Sequence, residues 1–505
     1  MGKIIETRVV NFTGGITNDP RDNAEGVAQV VTNFDILTDT KRMMPYRDSE
    51  DGDGSASTSK KQNFAIALRT GTTYSLYALG VVSGTARAEV LYKDLTTGGS
   101  NDLDDNAWAT PLNNQSSAGT TSFNLFVYYK KTGYIYGARA GSHIWRFSPS
   151  GAAWVDDHQA LSYTNIAQGL VHSKDDILYV PYDNKIAKND NGSWNNTALT
   201  LPSHLYVTSI CEYGNYLAIA CAPLSGIGNS VVYLWDRDAT LTTLSESIDW
   251  GEGVIKVLEE LDGFLIGLSQ AGGNSTRTKN RIIFRYYAGA GAVKIRELLS
   301  TTSPNLLIAK QKVDHRIFFM MSATLNGSLR EGVWSIGREN SRFVIAHERT
   351  PNNDTALGNG ILQNFFFVGD YLFIAYVNNS SANALSKTND SSSFTATSIY
   401  ESVIFNGGDS SLAKDLVGVT ITTEPLPAAG SVVVKYKKDA ETSYTTILTH
   451  STDDAISKSA INIESTGAAL PKSYKEISFR IESTGGAVIT GLSFKEEITG
   501  KRAYD

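Results

Sequence analysis

A short strand pattern that recurs through the middle of the chain is the feature that most constrains its fold. Six segments share an aromatic and aliphatic character: YIYGAR from Tyr134, ILYVPY from Ile177, YLAIAC from Tyr216, FLIGLS from Phe264, IFFMMS from Ile317 and YLFIAY from Tyr371. Their starts are 43, 39, 48, 53 and 54 residues apart, and a looser copy, TYSLYALG, lies near Tyr74. A second strand follows each copy, as HIWRFSPSG does from His143.

A period of roughly 40–55 residues that contains three or four short strands is typical of one blade of a β-propeller. The segments lack the sustained 3.6-residue periodicity that a solenoid of helix pairs requires. We therefore predict about seven blades within residues 62–401, with six or eight also compatible with the spacing. The repeated aromatic residues are expected to pack between neighbouring blades.

The two ends of the chain do not follow the repeat. Residues 1–61 are predicted to be an N-terminal arm and linker, with a strand over 3–12, a short helix in DNAEGVAQVV and a polar linker over 48–61. Residues 402–505 alternate apolar and polar side chains, as in EISFRIES, where one face is buried and the other is wet. The predicted fold is all-β, a β-propeller followed by a C-terminal β-sandwich or jelly-roll module.

Charge and cysteine content limit the possible partners. The net charge is −7 with no long basic run, so a protein that grips DNA phosphates is not expected. Cys211 and Cys221 flank a predicted hairpin and are expected to be buried thiols that do not face each other. No stretch resembles a signal peptide or approaches 18 uninterrupted apolar residues, so neither secretion by that route nor a membrane span is expected.

The sequence shows none of the common catalytic motifs. The seven histidines are scattered without an HExxH, and GxSxG, Walker-type and GxGxxG patterns are missing. The turn SPSGAAW from Ser148 lacks the aspartate of the SxDxGxTW turns found in propeller sialidases. Carboxylates that pair in space would not show in the sequence. We expect no enzyme activity, no cofactor and no metal, and we interpret Asp156, Asp157, Asp236 and Asp238 as turn residues.

The segment from Val9 to Asp53 resembles a signature of tailed-bacteriophage virion proteins that carry a β-propeller, such as tail nozzle and tail hub proteins. It contains a GGI turn, a nearby DPR, an NFDI strand and a PYRD segment. Nozzle proteins are usually longer than this chain. We interpret this irregular segment as an arm that reaches a neighbouring subunit. Its candidate assembly residues are Phe12, Gly14, Gly15, Asp19, Arg21, Phe34, Tyr46 and Arg47.

The resemblance implies a structural subunit of the virion tail. Such a subunit would form a homo-oligomeric ring with its own copies and would contact adapter, portal or fibre proteins, with DNA only in passage. It would be made in the host cytoplasm. Two alternatives remain open: a receptor-binding protein that holds a host surface glycan on loop aromatics such as Trp154 or Trp194, and a tail enzyme that degrades a glycan.

Overall fold

The computed structural model describes residues 3–22, 24–39, 41–51, 63–81, 87–96, 102–104, 108–109, 121–139, 141–226, 228–240, 244–272, 279–339, 341–351, 361–377, 383–388, 394, 397–461 and 470–499. Its secondary structure is entirely β in these ranges. Within them, no helix has both the length and the apolar character that crossing a bilayer requires.

The residues described by the structure form thirty-nine strands in chain order. The first six are β1 (Ile4–Val9), β2 (Gly15–Ile16), β3 (Val27–Thr32), β4 (Phe34–Asp35), β5 (Met44–Pro45) and β6 (Ser49–Asp51). The next eleven are β7 (Asn63–Thr70), β8 (Thr73–Val81), β9 (Ala88–Asp94), β10 (Thr121–Tyr129), β11 (Tyr134–Arg139), β12 (His143–Ser148), β13 (Ala153–Ala160), β14 (Leu170–His172), β15 (Ile177–Tyr182), β16 (Lys185–Asp190) and β17 (Ser193–Thr200).

The central strands continue the same pattern. They are β18 (Leu205–Tyr213), β19 (Tyr216–Pro223), β20 (Asn229–Trp235), β21 (Leu244–Glu252), β22 (Val254–Leu261), β23 (Phe264–Ala271), β24 (Arg281–Tyr287), β25 (Ala292–Leu299), β26 (Asn305–Val313), β27 (Arg316–Leu325), β28 (Ser328–Glu339), β29 (Arg342–Arg349), β30 (Ile361–Val368), β31 (Tyr371–Val377) and β32 (Asn383–Thr388). The last are β33 (Ser398–Ser402), β34 (Lys414–Thr423), β35 (Ser431–Lys438), β36 (Thr445–His450), β37 (Ser457–Ile461), β38 (Ile477–Thr484) and β39 (Ile489–Ile498).

The chain divides into two compact units. The propeller unit comprises residues 50–331 and 357–388, and the sandwich unit comprises residues 1–49, 332–356 and 389–505. These bounds differ from the predicted 1–61, 62–401 and 402–505, because the N-terminal strands belong to the sandwich sheets. The predicted linker over 48–61 is a strand at Ser49–Asp51, and its residues 52–61 lie outside the described ones.

The described residues of the propeller unit form seven antiparallel sheets in chain order. They are β7-β8-β9, β10 to β13, β14 to β17, β18 to β21, β22 to β25, the hairpin β26-β27, and β30-β31-β32, which β6 joins as a fourth strand. The first strands of successive sheets pack together, as in β7 with β10, β18 with β22, and β26 with β30. Because β30 packs against β7, the seven sheets close into a ring. The predicted β-propeller is confirmed.

The recognised repeat strands are the second strand of each sheet, not the first. Each is preceded by an inner strand, such as β18 before YLAIAC and β26 before IFFMMS, that carries polar residues. Cys211 and Cys221 lie on β18 and β19, opposite Ala218 and Val207 respectively, and both thiols are buried and free. The prediction that they are buried and do not face each other is confirmed.

The sandwich unit contains two larger sheets. Their orders are β1-β39-β34-β37 and β2-β3-β33-β38-β35-β36, accompanied by the pair β4-β5 and the hairpin β28-β29. The predicted strand over 3–12 is confirmed in its central part as β1, which pairs with β39. The predicted helix in DNAEGVAQVV is wrong. Residues Val27–Thr32 form a strand paired with β33, because β-branched valines favour extended backbone and Gly26 adopts a φ of 71°.

Candidate functional site at the centre of the propeller

The inner strands of the propeller bring charged side chains together at the centre of the ring. Glu212 on β18, Glu260 on β22 and Lys312 on β26 occupy equivalent register positions, each opposite the second residue of the following strand. Each lies four residues before the first residue of that strand. That spacing is the sequence signal that could have identified these residues, although the repeat alone did not. Together with Glu259 and Lys310 they form what we call the channel cluster.

Two lysines neutralise two of the three carboxylates of the channel cluster. Lys310 Nζ lies 2.9 Å from a Glu259 carboxylate oxygen, and Lys312 Nζ lies 2.6 Å from one of Glu260. Glu212 accepts hydrogen bonds from the backbone N–H and the hydroxyl of Ser173. All three carboxylates are therefore engaged by donors on the protein itself.

Lys310 bridges three consecutive sheets. Its ammonium group donates to the carbonyl oxygen of Ile210 at 2.8 Å and to that of Leu258, in addition to its ion pair with Glu259. The side chain thus starts on the sixth sheet and reaches the fourth across the fifth. An ammonium group has three donors, and the three contacts use all of them.

A second bridge is made by Gln168, which precedes β14. The amide of Gln168 accepts from the Phe126 N–H at 3.2 Å and donates to the Phe126 carbonyl at 2.8 Å, in the manner of a strand neighbour. Its oxygen also accepts from Asn63 Nδ2 at 3.2 Å, which joins the first sheet to the third. Gln311 makes the same pair of bonds to Phe367, at 2.7 and 2.9 Å.

A cavity of about 310 Å³ lies beside the channel cluster, at the low end of the range for small-molecule sites. Its wall includes Gln168, Thr208, Glu212, Glu259, Ile308 and Lys312. Burial raises the pKa of the Cys211 thiol in this wall well above its ordinary value, so the thiol stays protonated and is a poor nucleophile or metal ligand. Within the described residues, no group of three or more His, Cys, Asp or Glu side chains is arranged to hold a metal ion.

The contacts of the channel cluster can be compared with what glycoside hydrolysis requires. That reaction needs one carboxyl group that donates a proton and a second carboxylate that acts as base or nucleophile. In the channel cluster the carboxylates are instead tied to lysines or to Ser173. The bridges favour a closed, rigid centre.

Four of the predicted assembly residues lie inside the sandwich unit. Phe12 and Phe34 are fully buried, and the Phe12 ring packs edge-on against Tyr400 with centroids 5.4 Å apart. A Cβ on Gly14 would lie 2.3 Å from the Val27 nitrogen, and Gly15 has a φ of 76°, so the GG turn requires glycine at both positions.

The other four lie nearer the surface of that unit. Asp19 accepts from the Arg21 N–H at 2.9 Å, and Arg21 makes two bonds to the Glu476 carboxylate, at 3.1 and 2.9 Å. The Tyr46 hydroxyl donates to Glu348, and Arg47 is exposed. The structure therefore places all eight residues in one unit and none at the propeller centre, and their role in assembly stays a prediction.

The two tryptophans named as candidate glycan-binding residues contact other side chains of the propeller. Trp154 packs against Trp145 and Phe147, with centroids 4.7 and 5.2 Å away, and Trp194 donates to His158 at 3.3 Å. Both tryptophans are partly buried and pack against other side chains of the propeller.

The predicted turn aspartates divide into two pairs. Asp236 and Asp238 accept backbone N–H bonds in a turn, as predicted. The prediction is wrong for Asp156 and Asp157, which lie within β13, because Trp154 to Ala160 continue the fourth strand of their sheet. Asp157 pairs with Arg139 at 2.9 Å.

Comparison with known proteins gives likeness in fold only. No family model and no curated protein matches the sequence. Among solved structures, the chain is similar to the WD40 domain of Neurospora crassa Pan2, with 8% identity, 70% of this chain and 97% of that chain covered, and a TM-score of 0.40. It is also similar to an exo-β-1,3-galactanase from Phanerochaete chrysosporium in complex with β-1,3-galactotriose, with 9% identity, 89% and 99% covered, and a TM-score of 0.32.

Proposed function

We propose that the chain is a non-catalytic structural subunit of a bacteriophage tail. The observation that carries the proposal is the segment from Val9 to Asp53, which resembles the signature of propeller-bearing tail proteins. The structure explains why this segment needs its characteristic residues. The GG turn leaves no space for a side chain, and the phenylalanines fill the sandwich core. A motif of this kind marks a fold element that related tail proteins would share.

The propeller centre supports a structural role. Lys310 and Gln168 connect sheets that are not neighbours, and these bridges resist the sliding of one sheet against the next. A rigid ring suits a part that must keep its shape while DNA moves past it. The net charge of −7 would repel DNA rather than retain it.

Mass spectrometry of purified virions tests the proposal. We expect peptides of this chain in the particle, in stoichiometric ratio to known tail proteins and absent from a particle-free fraction of the lysate. A virion that lacks the chain would end the proposal.

The proposed lack of catalytic activity has a test of its own. We expect no release of reducing sugar when the purified protein is incubated with host surface polysaccharide. The variant Glu259→Gln provides the control, because activity that it abolishes would assign the channel cluster to catalysis and contradict the proposal.

The proposed ring of copies around the tail axis requires a head-to-tail contact between subunits. Arg21 and Arg47 are the two exposed cations of the predicted assembly set. We expect the double variant Arg21→Glu and Arg47→Glu to be missing from particles while folding normally. Incorporation at the wild-type level would remove these two residues from the assembly surface.

A further inference from the structure

The edge strand β1 of the sandwich unit has a self-complementary sequence. Residues 4–10 read IIETRVV, with Thr7 at the centre, Glu6 and Arg8 on either side, and apolar residues beyond them. The strand lies at the end of the sheet β1-β39-β34-β37, and no other described strand pairs with its outer edge. We propose that two copies of this chain join through their β1 strands, paired antiparallel about Thr7.

The backbone of β1 is oriented for such pairing. Ile498 N donates to the Lys3 carbonyl at 3.0 Å, so Lys3 and Ile498 form a hydrogen-bonded pair of the antiparallel ladder. Because these pairs alternate along a strand, the N–H and C=O groups of Ile4, Glu6 and Arg8 point away from β39, toward the open edge. The even-numbered residues therefore offer donors and acceptors to another strand.

Charge selects one register among those that the backbone allows. The register centred on Thr7 places Glu6 opposite Arg8 of the second copy, and Ile4 opposite Val10. If the two strands were centred on residue 6, Glu6 would lie opposite Glu6 of the second copy. If they were centred on residue 8, Arg8 would lie opposite Arg8. Like charges directly opposite each other destabilise a strand pair, so the Thr7-centred register is preferred.

The exposure of the same residues supports the pairing. Ile4 is 60% exposed and Val10 is 54% exposed, although both are large apolar residues in a strand region. In the proposed register each covers the other across the interface, at both ends of the pair. Within one chain, Arg8 Nε lies 2.8 Å from Glu6 Oε1, and Lys495 Nζ lies 3.7 Å from Glu6 Oε2. Pairing would extend this contact into a four-residue network across the twofold axis.

The contact differs from the proposed tail ring. It is isologous and closes on itself as a dimer, whereas a ring requires a head-to-tail surface. Its test is independent of the tail proposal, and either can fail alone. Because a seven-residue strand pair is smaller than a standard interface, we expect a dissociation constant on the order of 10–100 µM.

Sedimentation over a concentration series tests the dimer. The wild type is expected to self-associate, and Arg8→Glu is expected to weaken association about tenfold or more, because four carboxylates then meet at the axis. The double swap Glu6→Arg with Arg8→Glu restores opposite charges across the axis and is expected to return the affinity to within about threefold of the wild type. Lys458→Glu is the matched control: it makes the same charge change on β37, at the opposite edge, and should leave the affinity unchanged.

Circular dichroism would verify that each variant is folded. A wild type that stays monomeric to about 500 µM would overturn the proposal. So would a folded Arg8→Glu that associates like the wild type, or a folded double swap that stays as weak as Arg8→Glu. As a second measurement, Thr7→Cys is expected to form a disulfide-linked dimer on oxidation, because residues opposite each other in a non-hydrogen-bonded pair have Cα atoms about 4.5 Å apart.

Discussion

At the residue scale, Lys310 shows how one side chain can connect parts of a ring that are not adjacent. It leaves the sixth sheet, pairs with Glu259 on the fifth and donates to Ile210 on the fourth. The side chains of the pair are only 14% and 20% exposed, so solvent screens their attraction weakly. Lys312 and Glu260, at 37% and 27%, form a comparable pair closer to water.

The two lysines provide a matched comparison. Replacing Lys310 by Met leaves Glu259 without its cation and two carbonyls without a donor, and we expect a loss of about 2–4 kcal/mol in unfolding free energy. The variant Lys312→Met should cost less than about 1 kcal/mol, because exposed ion pairs contribute little. Urea unfolding followed by tryptophan fluorescence measures both. Equal losses would show that Lys310 does not bridge the sheets.

A buried carboxyl group in the sandwich unit predicts a pH dependence. Glu496 is fully buried and accepts from the Tyr474 hydroxyl at 2.9 Å. Burial raises the pKa of Glu496 above its ordinary value of 4.5, while the Tyr474 bond and the charge of Lys414 oppose that shift. The stability contributed by the protonated form is therefore complete below pH 4.5 and is lost as the pH rises through the folded-state pKa.

The variant Glu496→Gln tests this dependence, because glutamine stays neutral. We expect it to have a higher Tm than the wild type at about pH 8 and the same Tm at about pH 4. Glu497→Gln, the next residue on the strand, serves as the control. A difference in Tm that does not change with pH would contradict the raised pKa.

At the scale of elements, close packing between strands explains several glycines in the propeller. A Cβ on Gly267, in β23, would lie 2.6 Å from the ring of Trp250, in β21. The two strands belong to neighbouring sheets, so this glycine allows an indole ring to fill the space between blades. Trp250 is fully buried, which leaves the ring little room to move.

The variant Gly267→Ala is therefore expected to destabilise the propeller by about 1–3 kcal/mol, since an added methyl group forces the indole out of place. In Gly418→Ala the new Cβ would meet nothing nearer than 3.8 Å, and we expect a change of less than about 1 kcal/mol. Thermal unfolding measures both variants. A Gly267→Ala protein as stable as the wild type would show that the Trp250 ring can move to accommodate the added methyl group.

The sequence predicted the second and third strands of the blades far better than the first and fourth. The strand from Tyr216 alternates little and is buried almost throughout, so its composition is distinctive. The inner strand β18 ends in Cys211, Glu212 and Tyr213, and the outer strand β13 exposes every other residue. Such mixed strands resemble loops in a single sequence. The channel cluster lies on the inner strands β18, β22 and β26, and its members meet only after the ring closes.

At the scale of the whole molecule, the N-terminal residues contribute to sheets formed mainly by distant parts of the chain. In the sandwich unit, β1 pairs with β39 and β3 pairs with β33, and in the propeller unit β6 joins β32. A sequence pattern shows that a segment is extended but not which strand it will pair with. For that reason residues 1–61 were predicted as an arm.

Deletion of residues 1–51 distinguishes an arm from an integral part. It removes β1 from one sandwich sheet, β2 and β3 from the other, the whole pair β4-β5, and β6 from a propeller sheet. We expect the product to lose cooperative unfolding and to be cleaved rapidly by protease. A deletion product with the Tm and protease resistance of the full chain would support the arm.

The central claim is that a closed seven-sheet ring with a bridged centre serves as a structural part of a virion tail. A cryo-electron microscopy map of the purified particle tests it most directly. The account predicts tail density that fits the seven sheets, with the Lys310 side chain reaching the Ile210 carbonyl. A tail map in which no density fits this chain, or in which a sugar lies between Glu259 and Glu260 with Lys310 displaced, would contradict it.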